Sequence, residues 1–139
     1  GPGVPVNQTR EAYAYLFDIY PTLCDLIGIP RPDSVEGESL LPSLHDADMM
    51  VRDTLHFAYR GLQRAVQDRR YKLIEYVVQG QRTTQLFDLP DDPWELNNLA
   101  GDPGHVHHLA ALRQDLRRWR NELGDTQPGQ GADFWADFA

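Results

Sequence analysis

Residues 54–88 place the tightest constraint on how this chain can fold. Leu55, Phe57 and Tyr59 alternate with His56, Ala58 and Arg60, the period of a half-buried strand. Gly61 interrupts that run, and residues 62–67 read as a second strand. Asp68-Arg69-Arg70 makes a turn before residues 71–78, a run of β-branched and aromatic side chains that is the strongest strand in the chain. Gln79-Gly80-Gln81 turns the chain again, and residues 83–88 complete the set. Short turns between neighbouring strands imply an antiparallel meander of about four strands.

Such a sheet has an apolar face that must be covered. The last long periodic segment supplies the cover. Asp102 is placed to cap it, Pro103 sits in its first turn, and Gly124 closes it. Between them Val106, Leu109, Leu112, Leu116, Trp119 and Leu123 form one apolar stripe. The expected class is therefore α+β, a four-stranded antiparallel sheet packed by a C-terminal helix. An earlier helix is expected over residues 18–28, with Asp18 as its cap and Gly28 and Pro30 ending it. Leu16, Ile19, Leu23, Leu26 and Ile27 fall on one of its faces. Residues 30–50 read as a loop. Residues 86–100 read as a strand end entering a short helix, capped by Asp91 or Asp92, that begins near Pro93 and Trp94. Phe134, Trp135 and Phe138 stand out on an otherwise polar tail and are expected to dock on a neighbouring surface.

The formal charge of −8 argues against a nucleic-acid partner, which selects a basic surface. No apolar run approaches the roughly 20 residues of a membrane helix, so no membrane partner is expected. The start, Gly1-Pro2-Gly3-Val4-Pro5, shows no signal peptide and looks like a cut within a longer chain. Periplasmic, extracellular and cytoplasmic locations all stay open. The single cysteine, Cys24, forms no internal disulfide and lies in an apolar helix, which marks it as a small core residue.

Four segments together resemble the sulfatases, the formylglycine-dependent sulfuric-ester hydrolases of the alkaline phosphatase superfamily. Residues 86–100, Leu-Phe-Asp-Leu-Pro-Asp-Asp-Pro-Trp-Glu-Leu-Asn-Asn-Leu-Ala, resemble a signature near the C-terminus of that family. Residues 17–29 resemble a helix late in its large domain, and Gly37-Glu38-Ser39-Leu40-Leu41-Pro42 resembles the loop after it. Arg64-Ala65-Val66 with Tyr71-Lys72-Leu73-Ile74 resembles the hairpin of its small C-terminal subdomain. The resemblance implies that residues 1–45 are the edge of the large α/β domain. Residues 46–125 would then be the small subdomain, followed by an aromatic-containing tail over 126–139.

It further implies a parent enzyme whose formylglycine arises in a Cys-x-Pro-Ser-Arg motif, or one with Ser in place of Cys. Calcium or another divalent metal would be held there by Asp, Asn or His. Cys24 is followed by Asp25-Leu26-Ile27 and does not match that motif. No catalytic residue, metal ligand or cofactor is therefore assigned to this chain, which is expected to be inactive alone. Its expected partners are the N-terminal sulfatase domain and, in the parent, a small-molecule or carbohydrate sulfate ester. Alternative readings are a fragment of a phosphonate monoester or phosphoester hydrolase, or a free-standing protein-interaction module. Exposure of Leu16, Ile19 or Leu23, with self-association, would mark a fragment rather than a module.

In the family the small subdomain borders the substrate cleft, so the resemblance implies His56, Tyr59 and Arg60 as substrate contacts at its rim. Arg60 would meet an anion or hydroxyl and Tyr59 would stack; the alternative is that Tyr59 packs in the sheet while His56 and Arg60 face water. Other clusters have structural explanations. His105, His107 and His108 diverge around a helix and read as solvated. Asp91 and Asp92 read as capping carboxylates rather than calcium ligands. Arg113, Arg117, Arg118 and Arg120 read as a solvated helix face.

Overall fold

The computed structural model describes Gly1 and residues 3–138, Asp137 by its backbone alone; Pro2 and Ala139, the last residue of the expected tail, lie outside them. The chain separates into two compact units, Gly1–Asp53 and Thr54–Ala139.

In the first unit a single 3-10 turn at Leu16–Asp18 leads into α1, Ile19–Ile27, and a one-turn helix α2, Leu41–His45, follows within the expected loop. Polar contacts dominate this unit. Asp18 is fully buried and accepts hydrogen bonds from the Tyr15 and Glu38 amides at 2.6 and 2.9 Å, while Arg52 pairs with both of its oxygens. Asp18 therefore does not cap α1 with its side chain. Its own backbone is already helical, with φ −73° and ψ −17°, so the carboxylate turns back to the preceding turn and across to the loop. Thr22 continues the tie, donating to the Asp18 carbonyl and accepting from the Leu40 amide. Gly37 lies so close to Phe17 that a Cβ would stand 2.5 Å from its carbonyl oxygen, which is why the loop needs glycine there. Gly28, at φ +71°, ends α1 as expected.

The apolar stripe of α1 is present but faces outward. Leu16 is 85 % exposed and Ile27 68 %, and Ile19 and Leu23 are about half exposed, while Pro21, Thr22 and Cys24 form the buried side. Spacing located the stripe; no described part of the first unit covers it.

The second unit contains the meander: β1 Leu55–Tyr59, β2 Gln63–Gln67, β3 Tyr71–Val78 and β4 Gln81–Asp88, antiparallel in the order β1-β2-β3-β4. One row across the sheet pairs His56, Val66, Leu73 and Leu86, and these point to the face covered by α3, Val106–Glu122, and α4, Gln130–Phe138. The next row, Phe57, Ala65, Ile74 and Gln85, points to the opposite face. The main core joins Val66, Leu73, Val77 and Leu86 to Leu112 and Leu116 of α3 and to Phe134, Trp135 and Phe138 of α4. Each such side chain contributes about 1.5–3 kcal/mol by leaving water.

Three expectations change here. The α3 stripe covers the sheet only through its middle, because Val106 and Leu123 at its ends are more than half exposed. The tail docks its three aromatics as expected, but as a nine-residue helix that periodicity did not show. Residues 91–102 form successive turns and no helix. There Glu95 adopts φ +55°, and Asp92 accepts from the Asn97 amide at 2.7 Å. Asn98 replaces a strand neighbour along the β4 edge: its Oδ1 accepts from the Leu86 and Ala100 amides, its Nδ2 donates to the Thr84 carbonyl, and the Leu99 amide donates to Leu86. The corner is shaped by the unpaired edge of β4, which outweighs local capping.

Candidate functional site

The β1–β2 turn carries the exposed tip of the second unit. Tyr59 and Arg60 both face solvent, and the Arg60 guanidinium lies 5.4 Å from the centre of the Tyr59 ring. Arg60 holds φ +49°, a left-handed conformation unusual for a residue with a side chain. His56 does not join them. It lies three residues from Tyr59 on the same strand, so the two side chains point to opposite faces. The His56 ring stacks on Trp119 of α3 at 6.0 Å and 25°. Burial pushes its pKa below the ordinary histidine value; Asp125 partly offsets this and Arg64 reinforces it. The structure thus brings Tyr59 and Arg60 together as one cationic, aromatic surface and places His56 beneath the helices.

Under that tip sits Arg64, a residue outside the three expected rim contacts. Only 2 % exposed, it donates from Nε and Nη2 to Asp125 at 2.6 and 2.8 Å. Its Nη1 donates to the carbonyls of Arg60 at 2.6 Å and Gln63 at 2.8 Å. Its guanidinium also lies 4.8 Å from the centre of the Phe134 ring. Asp125 accepts from the Trp135 indole at 2.7 Å. Burial opposes ionisation of Asp125, but the hydrogen bonds from Arg64 and Trp135 outweigh it and hold the carboxyl below its usual range. The signal was available in the strand alternation: position 64 shares the inward parity of Val66, and a charge pointing inward needs a partner.

A second ion pair, buried on its acidic side, lies further along the sheet. Glu75 is fully buried, accepting from Arg113 at 2.8 Å and from the Thr84 hydroxyl at 2.6 Å. Arg113 therefore leaves the solvated helix face expected for it. Arg118 behaves closer to that expectation, bridging Asp115 and Glu122 along α3.

The histidine cluster is held by local contacts. His105 shares a hydrogen bond with Asp102 at 2.9 Å, and His108 stacks on Tyr71 at 4.4 Å. Asp91 makes an exposed pair with Arg70 at 3.4 Å. Among the described residues no three His, Cys, Asp or Glu side chains gather as a metal-holding group, so these donors do not fit a divalent ion. Cys24, buried in α1 and outside the required motif, does not fit a formylglycine position either.

Residues 2–122 match the family model described as N-sulphoglucosamine sulphohydrolase, C-terminal. The chain belongs to this sulphohydrolase C-terminal family. Its four-stranded antiparallel sheet with packed helices is the sulfatase C-terminal subdomain. The sulphohydrolase C-terminal chain is 34 % identical over 131 residues to arylsulfatase K of Bos taurus, covering 84 % of this chain and 24 % of the relative. A solved 2-O GAG sulfatase is 30 % identical with a TM-score of 0.72, covering 91 % of this chain and 29 % of its own. A second structure, solved in complex with its substrate D-glucosamine-2-N,6-O-disulfate, superposes with a TM-score of 0.75 over 90 % of this chain and 27 % of its own. At 22 % identity that likeness shows the fold alone. The chain spans about a quarter of the length of the curated relatives it matches.

Proposed function

We propose that this chain is the non-catalytic C-terminal part of a sulfuric-ester hydrolase, supporting the catalytic domain and forming part of the rim of its substrate cleft. One observation carries the reading: the family match runs almost throughout a chain that spans a quarter of its relatives and whose one cysteine is buried outside any formylglycine motif. Residues 1–45 would then be the edge of the large domain. The outward stripe of α1 supports this, being an apolar surface shaped for a neighbour that these residues do not provide.

Formylglycine and a divalent metal, calcium in the first instance, would be supplied by the N-terminal domain. This chain's own residues would act by binding and orientation. Arg60 offers donors to an anionic or hydroxyl group and Tyr59 offers a flat face to a sugar or aryl ring. A sulfated carbohydrate or small molecule is the substrate class that suits such a tip.

The chain alone, incubated with aryl sulfate, phosphate and phosphonate esters, is expected to release no product. Turnover that co-purifies with it would overturn the non-catalytic reading. In the full-length protein, efficient cleavage of phosphonate or phosphate esters with none of sulfate esters would replace the sulfatase assignment. Replacing Tyr59 and Arg60 by Ala is expected to raise KM by about tenfold, the loss of one charge-assisted contact, with kcat little changed.

A further inference from the structure

Left to itself, the Tyr59–Arg60 tip is poorly determined. It sits at the end of the edge strand β1, with Arg60 in a left-handed conformation and a glycine beside it. The Leu62 amide closes the turn on the Tyr59 carbonyl at 3.2 Å, and the further ties lead to the far end of the chain. The Arg60 and Gln63 carbonyls both accept from Arg64, and Arg64 is gripped through two nitrogens by Asp125. Asp125 is fixed in turn by the Trp135 indole and by Gly131, where a Cβ would stand 2.4 Å from Oδ1 and 2.7 Å from the carbonyl oxygen. Gly61 packs on the start of α4, where a Cβ would lie 3.1 Å from the Gln130 carbonyl. Phe134 lies under the Arg64 guanidinium.

We propose that α4 and the Asp125 turn are a brace for the tip, and that Arg64, Asp125 and Gly131 are positioning residues that determine how Tyr59 and Arg60 meet the group bearing the sulfate. This rests on the rim reading given above. Stability alone is a weak reason for such an arrangement, because a buried ion pair is often no more stabilising than apolar residues of its volume. Directional hydrogen bonds to two turn carbonyls do what apolar packing cannot: they draw the carbonyls inward and fix the turn that projects the Tyr59 and Arg60 side chains. The family model's match ends at residue 122, so Asp125, Gly131 and Trp135 lie outside the residues it matches.

Asp125→Asn and Arg64→Lys, made in the 139-residue chain and in the full-length protein, test it. In the chain, nuclear magnetic resonance is expected to show the Gly61 and Leu62 amides shifting and exchanging faster, with the Leu73 and Leu86 amides unmoved. In the full-length enzyme, KM for a sulfate ester should rise about threefold to tenfold with kcat within twofold, the loss of one hydrogen-bonded tie. Unchanged Gly61 and Leu62 amides in both variants would overturn the brace. A moved tip with unchanged KM, while Tyr59→Ala and Arg60→Ala do raise KM, would overturn the positioning role. No KM effect from Tyr59→Ala and Arg60→Ala would overturn the rim reading and the positioning role with it, the amide shifts then reporting a structural tie alone.

Discussion

Single residues in the second unit report on charge hidden under the helices. His56 is kept neutral by burial and by Arg64, with Asp125 opposing them, so the folded state binds its proton less readily than the unfolded chain. Its depressed pKa means that this stabilisation is fully present above the unfolded value near 6.5 and is lost as pH falls below it. The urea midpoint of the second unit is expected to drop between about pH 7 and pH 5.5, and His56→Gln should flatten that part of the profile. An identical acid slope in the variant would count against this. Asp18 and Asp125 act in a separate, more acidic window, since their lowered pKa values give stability that is lost only as pH falls through the carboxylate range. Strand alternation set His56 on the face opposite Leu55, Phe57 and Tyr59, but that this would be the face covered by Trp119 and bordered by the Arg64–Asp125 pair could not be read, because α3 and the Asp125 turn arrive from more than fifty residues away.

At the level of elements, the four strands emerge from sequence to within a residue or two, because period-two alternation and short turns are local properties. Two elements resisted. The segment after β4 carries genuine capping residues, but Asn98 is held by three hydrogen bonds to the β4 edge and its own short turn, and these decide its shape. Asn98→Ala should remove the acceptor of the Leu86 amide and destabilise the unit by about 1–3 kcal/mol, the cost of an unsatisfied polar group. Faster hydrogen exchange at the Leu86 amide, with a lower melting temperature, would show it; unchanged protection would mean the edge is closed by other contacts. The helix α4 was invisible for a different reason. Nine residues that include glycine make little helix on their own, and this one is stabilised by burying Phe134, Trp135 and Phe138.

The whole molecule combines a core-bearing second unit with a first unit whose apolar stripe looks outward. Leu16, Ile19, Leu23 and Ile27 are therefore expected to drive concentration-dependent association of the isolated chain, and Leu23→Glu with Ile27→Glu should reduce it. Sedimentation analysis would decide, and a wild-type chain that stays monomeric at high concentration would favour the free-standing module. By itself the sequence determined what depends on near neighbours along the chain: the strand periods, the α3 stripe, the Gly28 stop and the family's motifs in order. Tertiary structure decided which side of α1 is buried, which face of the sheet receives His56, and why a charge at position 64 is tolerated. Those outcomes depend on which distant segments come to cover a surface or neutralise a buried group, and local spacing carries no record of that.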